Sequence, residues 1–322
     1  MKLLFELSGE NPTLPRAEID CVGTVTDHRL QVAVAECKAP FSARRLAMTQ
    51  VVLEYLGECE PDLNAFRALL ADLSLETTKR FAGRVKKVHG GCHERNLCSQ
   101  QEFERLIGTM IAGPVSLREP EVEYRAIISE DRCYFGKVLF VIDRGGYDAR
   151  NPGKREFFHP GVMMPRMART LLNLACARAG EVVLDPFCGT GGILIEGELL
   201  GMRTVGSDFD PFMIGGSRLN APGTDFFLGD ATALPFRDRS VDTVVTDFPY
   251  GQSVCIRKSD TMDRLYHDAL AEIRRIIKPG RRAVVVTHRD ISAIAAEHMT
   301  VLQQHSQRVH KSLTRRVLVL AC

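Results

Sequence analysis

The sequence predicts an α/β protein in two parts: a second half with a doubly wound, mostly parallel sheet ending in an antiparallel hairpin, and a first half of α+β character. Three observations carry that expectation. In the second half, short apolar runs at 182–185, 204–208, 226–228, 241–247 and 282–288 alternate with helix-like stretches. The last two strand-like runs, 300–310 and 312–320, are separated by almost nothing, so they should pair as a hairpin. In the first half, strand-like and helix-like segments follow one another without a glycine-rich nucleotide loop.

Taken in order, residues 2–7 and 30–35 read as short strands around a helical stretch near 16–22, and 47–56 and 63–73 have helical apolar spacing. Phe81, Val85 and Val88 mark a strand. Ser99 followed by Glu102 is a capping-box signature, so a helix should start there and bury Phe103, Leu106, Ile107 and Met110. Two more strands are expected near 122–128 and 133–142. Residues 143–154, with Gly145, Gly146, Pro152 and Gly153, have the turn-rich polar composition of a linker, and the domain boundary is expected there.

Composition narrows the function classes. The 322 residues are 45% apolar and 25% charged, and no apolar run approaches a membrane span of ~18 residues, so the chain reads as a globular protein away from membranes. The N-terminus turns polar after five residues, too early for a signal peptide. Ten cysteines are scattered singly, as in a reducing, cytoplasmic compartment, and are expected as thiols. His89, Cys92, His93 and Cys98 lie close together but fit no familiar zinc spacing, so a polar loop is the expectation and no metal is assigned. The net charge of +2 neither demands nor excludes nucleic acid. Residues 1–150, however, carry 20 Lys and Arg against 22 Asp and Glu, yet Lys79, Arg80, Arg84, Lys86 and Lys87 fall within nine residues that contain no acid. Such a strip is either a solvated strand face or a phosphate-binding surface.

The first chemically informative motif is Asp185-Pro186-Phe187-Cys188-Gly189-Thr190-Gly191-Gly192, between a strand and an apolar helix. Its glycines let the backbone bend sharply against a ligand. It departs from the dinucleotide fingerprint, because Leu194 stands at the third glycine position and Asp185 precedes the turn. A carboxylate there would repel a pyrophosphate and suits the cationic amino-acid end of S-adenosylmethionine. Asp208 ends the second strand, 23 residues on, where an acid can accept both ribose hydroxyls. Asp230 follows the third strand, placed for an adenine amine, with Ala231 small enough to admit the ring. Each acid alone is an ordinary solvated strand-end residue. Three at successive strand ends would converge on the carboxyl edge, where such sheets bind ligands.

The fourth strand ends in Asp247-Phe248-Pro249-Tyr250. An exocyclic purine amine is a poor nucleophile because its lone pair is delocalised into the ring. A site that accepts hydrogen bonds from both N–H groups draws the nitrogen toward tetrahedral geometry and aims its lone pair at a sulfonium methyl. Asp247 can accept one and the Phe248 carbonyl the other, with Pro249 restricting Phe248 to extended conformations. Tyr250 offers a ring on which an extruded base can stack.

With these residues in place, the second half resembles the class I S-adenosylmethionine-dependent methyltransferases bearing an Asp-Pro-Pro-Tyr-type motif, with a Rossmann-like fold. The whole chain resembles the archaeal tRNA guanine-N2 methyltransferases that modify position 10 and carry a THUMP RNA-binding domain. Support extends through Leu7-Ser8-Gly9-Glu10-Asn11-Pro12-Thr13-Leu14, Asp143-Arg144-Gly145-Gly146-Tyr147, Phe158-His159-Pro160-Gly161 and Val309-His310-Lys311-Ser312-Leu313. The resemblance implies an N-terminal element over 1–45, a THUMP-like RNA-binding domain over 46–145, a linker over 146–158 and a methyltransferase domain over 159–322. It also implies that Arg80, Arg84, Lys86 and Lys87 face tRNA, and that His159, Pro160 and residues 165–169 close over the methionine end of the cofactor. Cofactor contacts are expected from Asp185, Pro186, Cys188, Gly189, Thr190, Gly191, Asp208, Asp230 and Ala231. Some relatives use a small zinc-binding activator protein. Phe248 replaces the usual first proline, which puts the carbonyl position and the shape of the base pocket in question. Methylation of another guanine N2 or of adenine N6, mono- against dimethylation, a non-catalytic RNA-binding protein and a dehydrogenase remain the alternatives.

Overall fold

The computed structural model describes residues 1–88, 99–250, 261–311 and 313–322. It divides into two compact units, Met1–Asp143 and Arg144–Cys322. The His89, Cys92, His93 and Cys98 group lies outside the described residues. The seven described cysteines form no disulfide. No helix among the described residues is long and apolar enough to cross a membrane.

The first unit runs β1 (Lys2–Leu7), α1 (Leu14–Glu18), β2 (Gly23–Arg29), β3 (Val32–Cys37), β4 (Thr49–Cys59), α2 (Leu63–Leu73), β5 (Phe81–Lys87), α3 (Gln100–Met110), β6 (Val122–Ser129) and β7 (Arg132–Val141). Its strands form one sheet in the order β2-β3-β1-β4-β7-β6-β5, in which only β5 and β6 pair in parallel. The boundary expected at residue 45 therefore falls within the span of a single sheet. Helices α2 and α3 bring Phe66, Leu70, Phe103, Leu106 and Ile107 into one cluster with Phe81, Tyr124 and Phe135 of the strands. Each helix starts where its side chains satisfy the free N–H groups. Asp62 accepts from the backbone of Asn64 and Ala65 at 2.9 Å, and Ser99 with Glu102 makes the expected capping box.

Two expectations for this unit are corrected. Residues 47–56 are not a helix, because Thr49–Cys59 is a strand between β1 and β7. Val52 belongs to one buried cluster and Val51 and Leu53 to another, so apolar residues are needed on both faces and the period-2 signal is erased. The strand β2 went unread, since its residues are alternately exposed and half-buried at the sheet edge and few are apolar.

The basic strip is also more committed than its charge suggests. Arg84 and Lys86 share one face of β5 by strand alternation, and Lys87 takes the other. Lys86 Nζ donates to the buried Glu6 at 2.6 Å, and Arg125 binds the other Glu6 oxygen at 2.6 Å. Arg80 pairs with Glu119 and Glu121, and Arg84 donates to the Leu117 carbonyl at 2.9 Å.

The second unit runs α4 (Gly145–Ala149), α5 (Pro165–Leu174), β8 (Val182–Asp185), α6 (Gly192–Leu199), β9 (Arg203–Asp208), α7 (Pro211–Asn220), β10 (Asp225–Leu228), β11 (Thr243–Asp247), α8 (Met262–Ile276), β12 (Arg282–Thr287), α9 (Ser292–His298), β13 (Thr300–His310) and β14 (Leu313–Ala321). The sheet order is β10-β9-β8-β11-β12-β14-β13, parallel through β12, with β14 antiparallel to both neighbours. This is the expected doubly wound sheet with its C-terminal hairpin. The strand order reverses between β8 and β11, so a crevice opens at their carboxyl ends.

The residues expected as a linker are bound into this unit. Glu196 on α6 is 1% exposed and receives Arg150 Nε at 2.7 Å and Arg169 Nη2 at 2.6 Å, so the segment after α4 and the helix α5 are both tied to the helix that follows the glycine turn. Phe157 exchanges hydrogen bonds with Asn220 of α7 at 3.1 and 2.9 Å.

Candidate active site

A cavity of about 800 Å³ opens at the carboxyl edge of the second sheet, at the reversal between β8 and β11. It is large enough for a drug-sized ligand. It is lined by residues 159–163, 185–190, 208–211, 229–232 and 247–250, with Gly192, Ile193 and Met213 and, from α8, Arg264, Leu265 and Asp268. The structure thus brings together His159, Pro160, Asp185, Pro186, Cys188, Gly189, Thr190, Asp208, Asp230, Ala231, Asp247, Phe248, Pro249 and Tyr250. Gly191 does not line the cavity. Its φ of +77° turns the chain into α6, and its space is closed by Ser217 and Ala221. Residues 165–169 likewise stay out of the wall, being the buried start of α5.

The glycine turn fits a ligand lying against backbone. Gly189 has φ +50°, and nothing lies within 4 Å of the position a Cβ would take, so the peptide faces open cavity. Its N–H donates to Asp208 Oδ2 at 2.9 Å, while the Asp210 N–H donates to Asp208 Oδ1 at 3.0 Å. Asp208 is thereby fixed at the end of β9, beside the turn. Burial, the largest influence, nevertheless raises its pKa. Asp230 is exposed and holds the backbone and hydroxyl of Thr232 at 2.9 and 2.7 Å.

Asp185 is the most enclosed of the acids, 2% exposed. Its Oδ1 accepts from the Thr246 hydroxyl at 2.6 Å and the Phe187 N–H at 3.2 Å. Burial pushes its pKa up to about 7, these two donors oppose the shift, and the charges of Asp247 and Asp208 add to it. A cavity whose most enclosed carboxyl feels the charges of two more acids suits a cationic ligand.

At the end of β11, Asp247 has a side chain 22% exposed. Its Oδ1 accepts from the Tyr250 hydroxyl at 2.7 Å. Tyr250 is therefore a hydroxyl partner of Asp247 as well as the expected ring, and that ring lies tilted against His288 with centroids 5.0 Å apart. Burial first, then the nearby Asp247 charge, raises the Tyr250 pKa, so the phenol stays protonated. Phe248 does not crowd the pocket with its ring, which is 1% exposed and packs in the core between Phe187 and Tyr266, each 5.2 Å away by centroid. Its N–H continues the β11–β12 ladder by donating to the Val286 carbonyl at 2.8 Å. Tyr266 fixes the next residue by donating its hydroxyl to the Pro249 carbonyl at 3.1 Å.

Arg315 is the site residue that sequence reasoning missed. The register Asp247↔Val286 and Thr287↔Arg316 places the start of β14 beside the carboxyl end of β12. From there Arg315, 4% exposed, reaches both Tyr250 and Asp247.

Comparison with known proteins agrees with this geometry. Residues 152–317 match the UPF0020 family, described as an RMKL-like methyltransferase domain. The tRNA (guanine(10)-N2)-dimethyltransferase of Methanothermobacter thermautotrophicus is 33% identical over 99% of both chains. The enzyme of the same name from Pyrococcus abyssi is 30% identical over 98% of both. Among solved structures, TrmN from Thermus thermophilus shares the fold, with a TM-score of 0.53 and 21% identity over 100% of this chain and 99% of that one. The chain belongs to the family of the tRNA (guanine(10)-N2)-dimethyltransferases, and its second unit carries their RMKL-like methyltransferase domain.

Proposed function

We propose that this enzyme transfers methyl groups to the N2 amine of a guanosine in tRNA, at position 10. The observation that carries the reading is Asp247, held at the end of β11 on the wall of the cavity whose other strand-end acids are Asp185, Asp208 and Asp230. The family names the substrate and the position.

S-adenosylmethionine, when bound, supplies the methyl as a sulfonium whose sulfur keeps the bonding electron pair as the nitrogen takes the carbon. The protein's part is to hold both reactants. Asp185 faces the ammonium of the methionine end, Asp208 the ribose hydroxyls and Asp230 the adenine amine, with Ala231 leaving room for the ring. Pro186, Cys188, Gly189 and Thr190 form the floor, Gly191 shapes the turn from behind, and His159 and Pro160 close the wall. On the acceptor side, Asp247 and the Phe248 carbonyl accept from the two N–H groups, and the Tyr250 ring carries the base. Once the nitrogen has gained the methyl it bears a positive charge, and the Asp247 carboxylate is the group placed to take the proton.

The domain division follows the same reading: 1–45 as an N-terminal element, 46–145 as a THUMP-like RNA-binding domain, 146–158 as a connection and 159–322 as the methyltransferase domain. Arg80, Arg84 and Lys87 are proposed to meet tRNA phosphates, since exposed ion pairs such as Arg80–Glu119 are weak and exchange readily for phosphate. Lys86 is assigned the lesser part because its charge is committed to Glu6. The enzyme would work in the cytoplasm, and a small zinc-binding activator is proposed as a further partner.

The test is methyl transfer to unmodified tRNA, with digestion and mapping of the product nucleosides. N2-methylguanosine and its dimethyl form at position 10 are expected, and methyladenosine or a different position would overturn the assignment. Comparing the purified chain with and without the activator decides whether that partner is needed.

A further inference from the structure

The mechanism above uses the acids of the cavity and leaves one buried cation without a role. Arg315 on β14 is 4% exposed, while its neighbours Thr314 and Arg316 are exposed and the strand beyond them is buried on both faces from Val317 to Leu320. Because β14 runs antiparallel to β12, its first residues arrive at the sheet edge where 247–250 leave β11. There Arg315 Nε donates to the Tyr250 hydroxyl at 3.2 Å and lies 3.7 Å from Asp247 Oδ2. Its Nη2 donates to the Gly161 carbonyl at 3.4 Å. Among the described residues Asp247 is the one carboxylate within ion-pair distance of it.

We propose that Arg315 is a positioning residue for the methyl acceptor, one guanidinium that sets Asp247 and Tyr250 on the acceptor side and holds the Gly161 carbonyl on the segment walling the cofactor side. A guanidinium presents its donors in fixed directions, so the Tyr250 hydroxyl and the Gly161 carbonyl are held in a fixed relation to one another, with Asp247 Oδ2 beside them as an ion pair. The pattern of bonds assigns the two Asp247 oxygens. Tyr250 occupies Oδ1, and Oδ2, steered by Arg315, is left to accept the amine. Burial raises the Asp247 pKa, and the Arg315 charge is the first influence that opposes the rise and favours the acceptor form. Asp247 shares its surroundings with Asp185 from β8, Tyr266 from α8 and Tyr250, whose ring meets His288 beyond β12, and Arg315 is the cation facing it. Without it, the half-buried Asp247 carboxyl would be protonated at higher pH, and in that form it presents a hydroxyl donor to an amine that needs an acceptor.

The role rests on the amine-methylating reading, so the experiment separates the two. Wild type, Arg315→Met and Arg315→Lys are compared in S-adenosylhomocysteine affinity, in single-turnover methylation of unmodified tRNA against pH, and in the titration of the Asp247 carboxyl followed by carbon-13 NMR. Arg315→Met should lose about 10²-fold in single-turnover rate with both substrates saturating, while product affinity falls by no more than about fivefold. Its acid limb and the Asp247 titration should both move to higher pH. Arg315→Lys should bring both back toward wild type, yet recover only about a tenth of the rate, because an ammonium keeps the charge without spanning the Tyr250 hydroxyl and the Gly161 carbonyl. If the Met variant keeps the wild-type rate and acid limb, the proposal fails. It fails equally if both variants lose rate, product affinity and thermal stability in step, for Arg315 would then be a packing element. Should wild type transfer no methyl to tRNA, the functional reading falls, and Arg315 is still judged by the Asp247 titration, which an unchanged Met variant would decide against it.

Discussion

Asp185 couples cofactor binding to pH in a direction the structure specifies. Its folded pKa of about 7 stands about three units above that of an aspartate in an unfolded chain. If Asp185 receives the ammonium of S-adenosylmethionine, the bound complex needs the carboxylate, and binding must expel a proton wherever Asp185 is protonated. Below about pH 7 the affinity should rise up to tenfold for each pH unit, then level off, and above about pH 8 it should fall as the ligand's own α-amino group deprotonates. For the ligand-free protein the sign is opposite. A raised carboxyl pKa contributes stability in full below the unfolded value, near pH 4, and loses it as pH rises through the folded value, a span on the order of 4 kcal/mol. Cofactor should therefore stabilise most where the ligand-free fold has lost this contribution. Calorimetry from about pH 5.5 to about 8.5, in two buffers of different ionisation enthalpy, counts the released proton. Asp185→Asn should abolish the acid limb and weaken binding at pH 7.5 to about 8. 5′-Methylthioadenosine, which lacks the amino-acid end, should show no limb with either protein. A wild-type affinity that is flat through this range, or a limb that survives in Asp185→Asn, would refute the assignment of Asp185 to the ammonium.

Five variants have outcomes that the geometry specifies. Asp247→Ala should lower single-turnover methylation by about 10²–10³ while S-adenosylmethionine binds nearly as before, because the lost acceptor matters mainly in the transition state; a near wild-type rate would make Asp247 a structural cap. Asp208→Ala should weaken S-adenosylmethionine by about 1–3 kcal/mol by calorimetry, and unchanged affinity would remove it from the ribose. Phe248→Pro, which supplies the proline usual in the motif, should destabilise this chain by about 3–5 kcal/mol in denaturant melts, since it deletes a core ring and the N–H bonded to Val286. In the basic strip the outcomes should divide. Arg84→Gln should flatten the slope of log K for tRNA against log salt by about 1. Lys86→Met should leave that slope in place and cost about 1–3 kcal/mol of stability, because Glu6 stays buried with Arg125 alone.

The cavity wall was legible because its signals are local. A buried run, a strand-end acid and a turn recur at Asp185, Asp208 and Asp247, and each βα unit delivers its acid to the same edge, so reading the units in order nearly places the cavity. Capping is equally local, and Ser99 with Glu102 starts α3 where the pair stands in the chain. Legibility failed where a residue answers to partners far along the chain. Residues 47–56 look helical because two clusters, one on each face, demand apolar side chains, and the second face is known only once the neighbouring strands are. Lys86 reads as one of five free cations until Glu6, eighty positions earlier, is laid beside it. Arg315 shows the same limit at the centre of the chemistry. Its partners stand 65 and 154 positions away, and the antiparallel return of β14 brings them together. Yet one trace of it was present. From Val317 to Leu320 every residue is apolar and buried, so β14 is covered on both faces and the cations at its start stand where the core begins. A cation drawn into such a strand, as Arg315 is, must find a buried partner, because an unpaired charge there is too costly to keep. In a sheet whose carboxyl edge already gathers several acids, that partner is most economically one of them, and the antiparallel strand is the one whose beginning, rather than its end, can deliver a side chain to that edge.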